Sequence, residues 1–191
     1  MSSNKTSLEE ENAPVEVVTY DPAWPFKFDE ERAVLEGLLA QWIVADIEHV
    51  GSTAVPGLAA KPVIDIMVPV GSLETSRGSI EAASHAGYIY WPYKADVMHW
   101  FCKPSAARRT HHLHIVPFES SLWFDRLRFR DALRSDSELA ERYAVLKLQL
   151  ARRYRHDREA YTEGKTDFVN AVLGGAGGGE IDLTTACTRP E

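Results

Sequence analysis

The sequence predicts an α+β domain, a β-sheet under a helical cover, on three observations. Apolar runs of strand length dominate the first two thirds, helix-length segments dominate the last third, and the composition is that of a chain with a core. Of 191 residues, 45% are hydrophobic, 26% are charged and five are Trp, whereas a disordered chain lacks the apolar surface to offset its conformational entropy. One domain is expected over 14–173, between a polar N-terminal tail, 1–13, and a glycine-rich C-terminal tail, 174–191. Both tails are expected to be flexible, because neither buries much and glycine carries the largest backbone entropy cost.

Val15–Thr19 has the length and character of a short strand. The turn Asp21-Pro22-Ala23-Trp24-Pro25 then opens a helix whose Phe28, Leu35, Leu38, Leu39 and Trp42 share one face. Ile43–Val50 is expected as a strand ending at Gly51-Ser52, and Val63–Val70 as a second strand, apolar throughout except at Asp65. A helix over Leu73–Ala86 stops at Gly87, a C-cap glycine. Tyr88–Trp91 and Asp96–Lys103 are the next strands, and the loop Pro104–Thr110 carries Arg108 and Arg109. His111–Pro117 alternates polar and apolar residues as a half-buried strand does. Helices follow over Leu122–Arg134 and Ser137–Arg155, with a last one ending near Leu173.

The net charge of −7 gives no reason to expect nucleic acid or an anionic membrane as a partner. The two cysteines, Cys102 and Cys187, are too few for a disulfide framework, which points to a reducing compartment. No apolar stretch approaches the roughly 20 residues of a membrane span, and Met1–Asn12 has no signal-peptide character. A cytoplasmic protein is expected.

Three features carry chemistry. Gly51-Ser52-Thr53 opens a small-residue loop in which backbone amides and hydroxyls can approach an anion, or which is a tight turn with capping hydroxyls. The spacing is not that of a Walker A loop. Asp65 places a carboxylate on an apolar strand, which costs several kcal/mol unless it is paired or bound to a metal. Strand period puts Val63, Asp65 and Met67 on one face and Ile64, Ile66 and Val68 on the other. His112 and His114 likewise share one strand face, so two imidazoles and one carboxylate from a neighbouring strand can converge on one cation, or simply hydrogen-bond. Helical spacing aligns Arg130 with Arg134 and Tyr143 with Lys147, and Tyr161, Lys165 and Phe168 follow at similar intervals. These residues either bind phosphate or form a solvated face of ion pairs.

The segments Tyr20-Asp21-Pro22-Ala23-Trp24-Pro25, His49 through Leu58, Ala60-Lys61-Pro62-Val63-Ile64-Asp65-Ile66, Thr110 through His114 and Phe129-Arg130-Asp131 resemble the GrpB-like family. That family is related to the C-terminal domain of some dephospho-CoA kinases and belongs to the nucleotidyltransferase superfold. The resemblance implies a mixed β-sheet covered by helices with a C-terminal helical layer. It implies a nucleoside triphosphate at Gly51, Ser52 and Thr53, and a divalent metal at Asp65. The acid that would complete an Asp-x-Asp pair is absent, since Met67 stands two residues on. Two-metal transfer needs several carboxylates holding ions roughly 3.5–4 Å apart, so Asp65 with His112 and His114 suits one transition-metal ion instead. Metal-dependent nucleotidyl or phosphoryl transfer, or ATP-dependent ligation, on a small molecule is the activity implied. Asp65, Lys61, His112 and His114 are its catalytic candidates, and Arg130, Arg134 and Lys165 its cofactor-binding ones. The alternative is a module that binds a nucleotide or CoA-like ligand without turnover.

Overall fold

The computed structural model describes residues 13–174. The flexibility expected of 1–13 and 174–191 falls almost entirely outside that range. Eleven elements organise the described chain: α1 (Trp24–Leu39), β1 (Glu48–Val50), β2 (Ile64–Val70), α2 (Gly78–Ser84), β3 (Ile89–Trp91), β4 (His99–Pro104), β5 (Arg109–Pro117), α3 (Ser121–Ser135), α4 (Ser137–Arg153), α5 (Arg158–Glu163) and α6 (Thr166–Leu173). The sheet runs in the order β1-β2-β5-β4-β3. It is mixed: β2 and β5 are parallel, while the pairs β1/β2, β5/β4 and β4/β3 are antiparallel.

Strand alternation gives the sheet two different faces. On one, Ile64, Ile66, Val68, Phe101, Leu113 and Ile115 pack beneath Trp24, Phe28, Leu35 and Leu39 of α1 and Ala83 of α2. On the other, Met67 and Val116 pack against Trp123 of α3. Asp65, His112 and His114 fall on this second face. A further core joins the C-terminal helices to the loop after β1: Val55 and Leu58 sit among Leu139, Tyr143, Leu146, Leu150, Tyr161 and Phe168.

Three of the four C-terminal helices, α3, α4 and α5, start where the sequence supplies an oxygen for the free amides. Ser120 accepts from the Trp123 amide, Asp136 from Leu139 and Asp157 from Ala160. The Asp157 cap and the break at Gly164-Lys165 divide the last expected helix into α5 and α6.

Several expected boundaries move, each for a local reason. Val15–Thr19 is not a strand. Val18 makes one isolated bridge to Ala60, while the Val15 amide donates to the Arg155 carbonyl and its side chain joins the helical core. Of Ile43–Val50 only Glu48–Val50 enters the ladder, and Ile43 makes a single bridge to Val70 after the turn that ends α1. The helix expected from Leu73 begins at Gly78, because Ser72, Thr75 and Ser76 bond their hydroxyls to nearby groups and hold a turn. The loop expected over Pro104–Thr110 shortens to 105–108, with Arg109 already in β5. Gly87 ends the turn after α2 with φ +80°, as expected of a helix-stop glycine.

One long-range ion pair ties α1 to the sheet. Lys103 of β4 donates to both oxygens of Glu31 at 2.7 Å, and Glu31 is buried. Lys103→Met therefore strands a buried carboxylate without its cation and is expected to cost about 3–5 kcal/mol in urea unfolding. Adding Glu31→Gln should recover much of that loss; a double variant no more stable than the single one would show that packing, not charge, carries the effect.

Candidate functional site

The parallel register sets Asp65 of β2 directly beside His112 of β5, and Met67 beside His114. Asp65 Oδ1 lies 2.9 Å from His112 Nδ1 and 3.4 Å from His114 Nε2. The ligand atoms of the three residues lie within 4.8 Å of one another. Two imidazoles and a carboxylate at that spacing have the chemistry to hold one divalent transition ion.

Electrostatics keep Asp65 ionised and His114 neutral, the protonation states a cation requires of them. Burial pushes the Asp65 carboxyl up, but the hydrogen bonds from His112 and His114 outweigh burial and hold it well below the ordinary carboxylate range. Burial, with the Arg126 guanidinium adding to it against Asp65, brings His114 down to about 3, so this imidazole is neutral at physiological pH. The other ring nitrogens, His112 Nε2 and His114 Nδ1, are buried without a hydrogen-bond partner among the described residues.

Gly51 makes the approach of the loop to this carboxylate sterically permissible. It follows Val50, which pairs with Asp65 across the β1/β2 ladder, and adopts φ +72° and ψ −173°, a conformation confined almost entirely to glycine. A Cβ on Gly51 would overlap Asp65 Oδ2 and come within 3.0 Å of its Cγ. The chain then tightens into a 3-10 turn over Ser52–Ala54. Ser52 faces the buried Tyr143 hydroxyl, whose pKa burial raises.

The rest of the loop is fixed from behind. Thr53 Oγ1 donates to the Val63 carbonyl at 3.2 Å, so its hydrogen is committed and His49 must donate its Nε2–H to the same oxygen, at 3.1 Å. The Thr53 hydroxyl thus belongs to the frame of the loop, contrary to the expectation that it meets a ligand. Arg134 Nε donates to the Ala54 carbonyl, and Arg130 Nη1 donates to Glu48 at 2.6 Å and to the His49 carbonyl. These two arginines, expected at a phosphate, are engaged in bracing β1 and its loop. The buried Lys147 donates to the Ala59 carbonyl and lies over the Tyr143 ring; burial, with Lys165 nearby, brings it down to about 7. His99 lies away from the centre, bonded to the Leu73 carbonyl.

His49 gives the loop a pH signature. Its ring stacks on Phe28 at 4.7 Å, and burial brings it down from 6.5 to about 4 despite the opposing pull of Asp65. The folded state takes up the proton less readily than the unfolded one, so the stability from neutral His49 is complete above pH 6.5 and is lost as pH falls towards 4. The loss should amount to about 3 kcal/mol. Denaturant unfolding at intervals across this range should show a correspondingly shallower slope for His49→Gln than for the wild type; parallel slopes would assign the pH dependence to other groups.

Three cations, Lys61, Lys165 and Arg126, lie close enough to Asp65 to feel its charge and have no hydrogen-bond or ion-pair partner among the described residues. Lys61 and Lys165 lie over the ring of Tyr161, 5.5 and 4.6 Å from its centroid. Burial, with Arg158 reinforcing it, brings Lys61 down to about 8, and burial with Lys61 does the same to Lys165. The site thus unites the expected Gly51, Ser52, Lys61, Asp65, His112, His114 and Lys165. Arg126 was not expected, although it continues the four-residue spacing of Arg130 and Arg134 one turn earlier on α3. Trp100 was also missed. It pairs with His114 across the β4/β5 ladder and its ring centre is 5.2 Å from that of His112.

Residues 14–174 match the family profile described as GrpB protein. A UPF0157 protein of Pseudomonas aeruginosa is 41% identical over 85% of this chain and 67% of its own length. The glutamate-rich protein GrpB of Alkalihalophilus pseudofirmus is 34% identical over 82% of this chain and 92% of its own. A dephospho-CoA kinase of Mycolicibacterium paratuberculosis is 38% identical over 60% of this chain, which spans 28% of that enzyme. The crystal structure of GrpB from Enterococcus faecalis superposes with a TM-score of 0.76 at 32% identity, covering 89% of this chain and 98% of that one. By its match over nearly the whole described chain, and by a mixed sheet and helical cover that superpose on a solved member, the chain belongs to the GrpB family.

Proposed function

We propose that this chain is a metal-dependent nucleotidyl or phosphoryl transferase, or an ATP-dependent ligase, acting on a small molecule in the cytoplasm. The observation that carries this reading is the meeting of Asp65, His112 and His114 near three cations that have no hydrogen-bond or ion-pair partner among the described residues. One carboxylate near Lys61, Lys165 and Arg126 leaves a surplus of positive charge, and a divalent ion adds to it, so an anionic ligand is needed to balance the centre. Phosphates are the anions whose size and charge the Gly51-Ser52 turn and the paired lysines suit.

Asp65, His112 and His114 would hold the ion, which when bound supplies Lewis-acid polarisation of a phosphoryl oxygen. Gly51 lets the backbone approach the phosphate, Lys61 and Lys165 neutralise its charge, and Tyr161 fixes both lysines from behind. Neutral lysine near pH 8 also makes Lys61 and Lys165 suited to moving a proton at the reacting oxygen.

The test is incubation of the full chain with nucleoside triphosphates and Mg²⁺, Mn²⁺ or Zn²⁺ across a broad acceptor panel, reading pyrophosphate or nucleoside diphosphate release. Release that disappears in Lys165→Met supports the reading. A second reading is favoured by one specific departure, Met67 in place of a second acid: a site that binds a nucleotide or CoA-like ligand without turnover. The dephospho-CoA kinase relative is in keeping with a ligand of that kind. Ligand-induced thermal stabilisation with no product would establish this second reading over the first.

A further inference from the structure

We propose that Arg109, stacked on Trp100, is a ligand-binding residue whose guanidinium fork holds a phosphate of the molecule bound at Asp65, His112 and His114. The inference rests on the reading of that centre as a phosphate-handling site, and adds the residue that clamps the phosphate on the β4 side.

The ladder register fixes the side of the sheet. Trp100 of β4 pairs with His114 of β5, and Cys102 pairs with His112, so Trp100 stands on the same face as both histidines. Its ring centre lies 5.2 Å from that of His112, whose Nδ1 is 2.9 Å from Asp65 Oδ1. The guanidinium carbon of Arg109, the first residue of β5, lies over the same indole, 5.1 Å from its centroid. One ring therefore touches the candidate centre through His112 and carries a cation as well.

Arg109 is oriented by the protein but not neutralised by it. Its Nε donates to the Ala106 carbonyl at 3.0 Å, which together with the indole sets the plane of the guanidinium. Nη1 and Nη2 have no hydrogen bond or ion pair among the described residues, and neither is buried. Stacking leaves the N–H edge of a guanidinium free for bidentate contact with two phosphate oxygens. Arg130 and Arg134, by contrast, spend their donors on Glu48, Asp131 and the Ala54 carbonyl. The flank beside Arg109 is also open. Ile89 and Trp91 of β3 pair with Cys102 and Trp100, share their face of the sheet, and are 42% and 46% exposed. Tyr93, exposed in the turn between β3 and β4, stands edge-on to Trp100 at 6.3 Å between ring centres. A phosphate can thus reach Arg109 from solvent across β3 and β4.

The experiment is isothermal titration of the full chain with inorganic triphosphate in excess Mn²⁺. Arg109→Met keeps the apolar stem on the indole and should weaken triphosphate about ten- to a hundredfold, while Arg109→Lys, which keeps the charge but not the fork, should fall between it and the wild type. Trp100→Leu removes the stack and should weaken triphosphate about three- to tenfold, yet add little once Arg109 is already Met, because Trp100 acts by positioning Arg109. Triphosphate bound equally well by Arg109→Met, or not bound by the wild type, would overturn the clamp. Losses that simply add in the Arg109→Met, Trp100→Leu double variant would overturn the positioning role of Trp100. Turnover is read separately. Binding that depends on Arg109, without product from any nucleoside triphosphate, keeps the clamp and removes the transferase reading; product release with unaltered binding by Arg109→Met does the reverse.

Discussion

Gly51→Ala is expected to be the most damaging single-methyl change in the domain. Two independent costs add. The conformation at φ +72° and ψ −173° is strained for any L-residue, a cost of about 1–3 kcal/mol. The new methyl also overlaps the Asp65 carboxylate, which cannot retreat without leaving His112 and His114. Gly57→Ala is the control, since Gly57 also has positive φ, +80°, but no heavy atom lies within 4 Å of the position its methyl would take. Thermal or urea unfolding should place Gly57→Ala about 1–2 kcal/mol below the wild type, with ligand binding intact. Gly51→Ala should lie further below and also lose the metal binding proposed for Asp65, His112 and His114. Equal effects of the two substitutions would mean that the contact with Asp65 contributes nothing.

The second large effect is at Asp65, and the choice of substitution separates stability from chemistry. Asp65→Ala leaves two imidazole N–H groups without their acceptor, at about 1–3 kcal/mol for each buried group. Asp65→Asn keeps an oxygen where Oδ1 stands, so it should fold with a smaller loss, yet it lacks the negative charge that a cation between the two histidines would need. Both variants should lose turnover, or ligand binding that depends on metal, while only Asp65→Ala loses much stability. Full activity in Asp65→Asn would show that the carboxylate acts by accepting hydrogen bonds alone.

Much of this centre was legible in the sequence because it rests on strand period. Asp65 on an apolar strand and His112 with His114 two residues apart need only one pairing, that of β2 with β5, to meet. The roles of the arginines were not legible. Arg126, Arg130 and Arg134 recur at one spacing on one helix, and only the packing of α3 against β1 decides that Arg130 and Arg134 brace the loop while Arg126 has no such partner among the described residues. Thr53 shows the same limit, because its hydroxyl is committed by His49 and Val63, ten residues apart from it at most in sequence but brought together by the turn. The short Val15–Thr19 segment misled because its apolar residues serve the helical core rather than a sheet edge.

A metal ion held by one carboxylate and two imidazoles should be detectable by equilibrium dialysis of the untagged full chain against Mn²⁺ or Zn²⁺, followed by elemental analysis. The wild type should retain one ion per chain, and Asp65→Asn and His112→Ala should retain none while remaining folded. A wild type that holds no ion, or variants that hold it as well as the wild type does, would rule out Asp65, His112 and His114 as a metal centre.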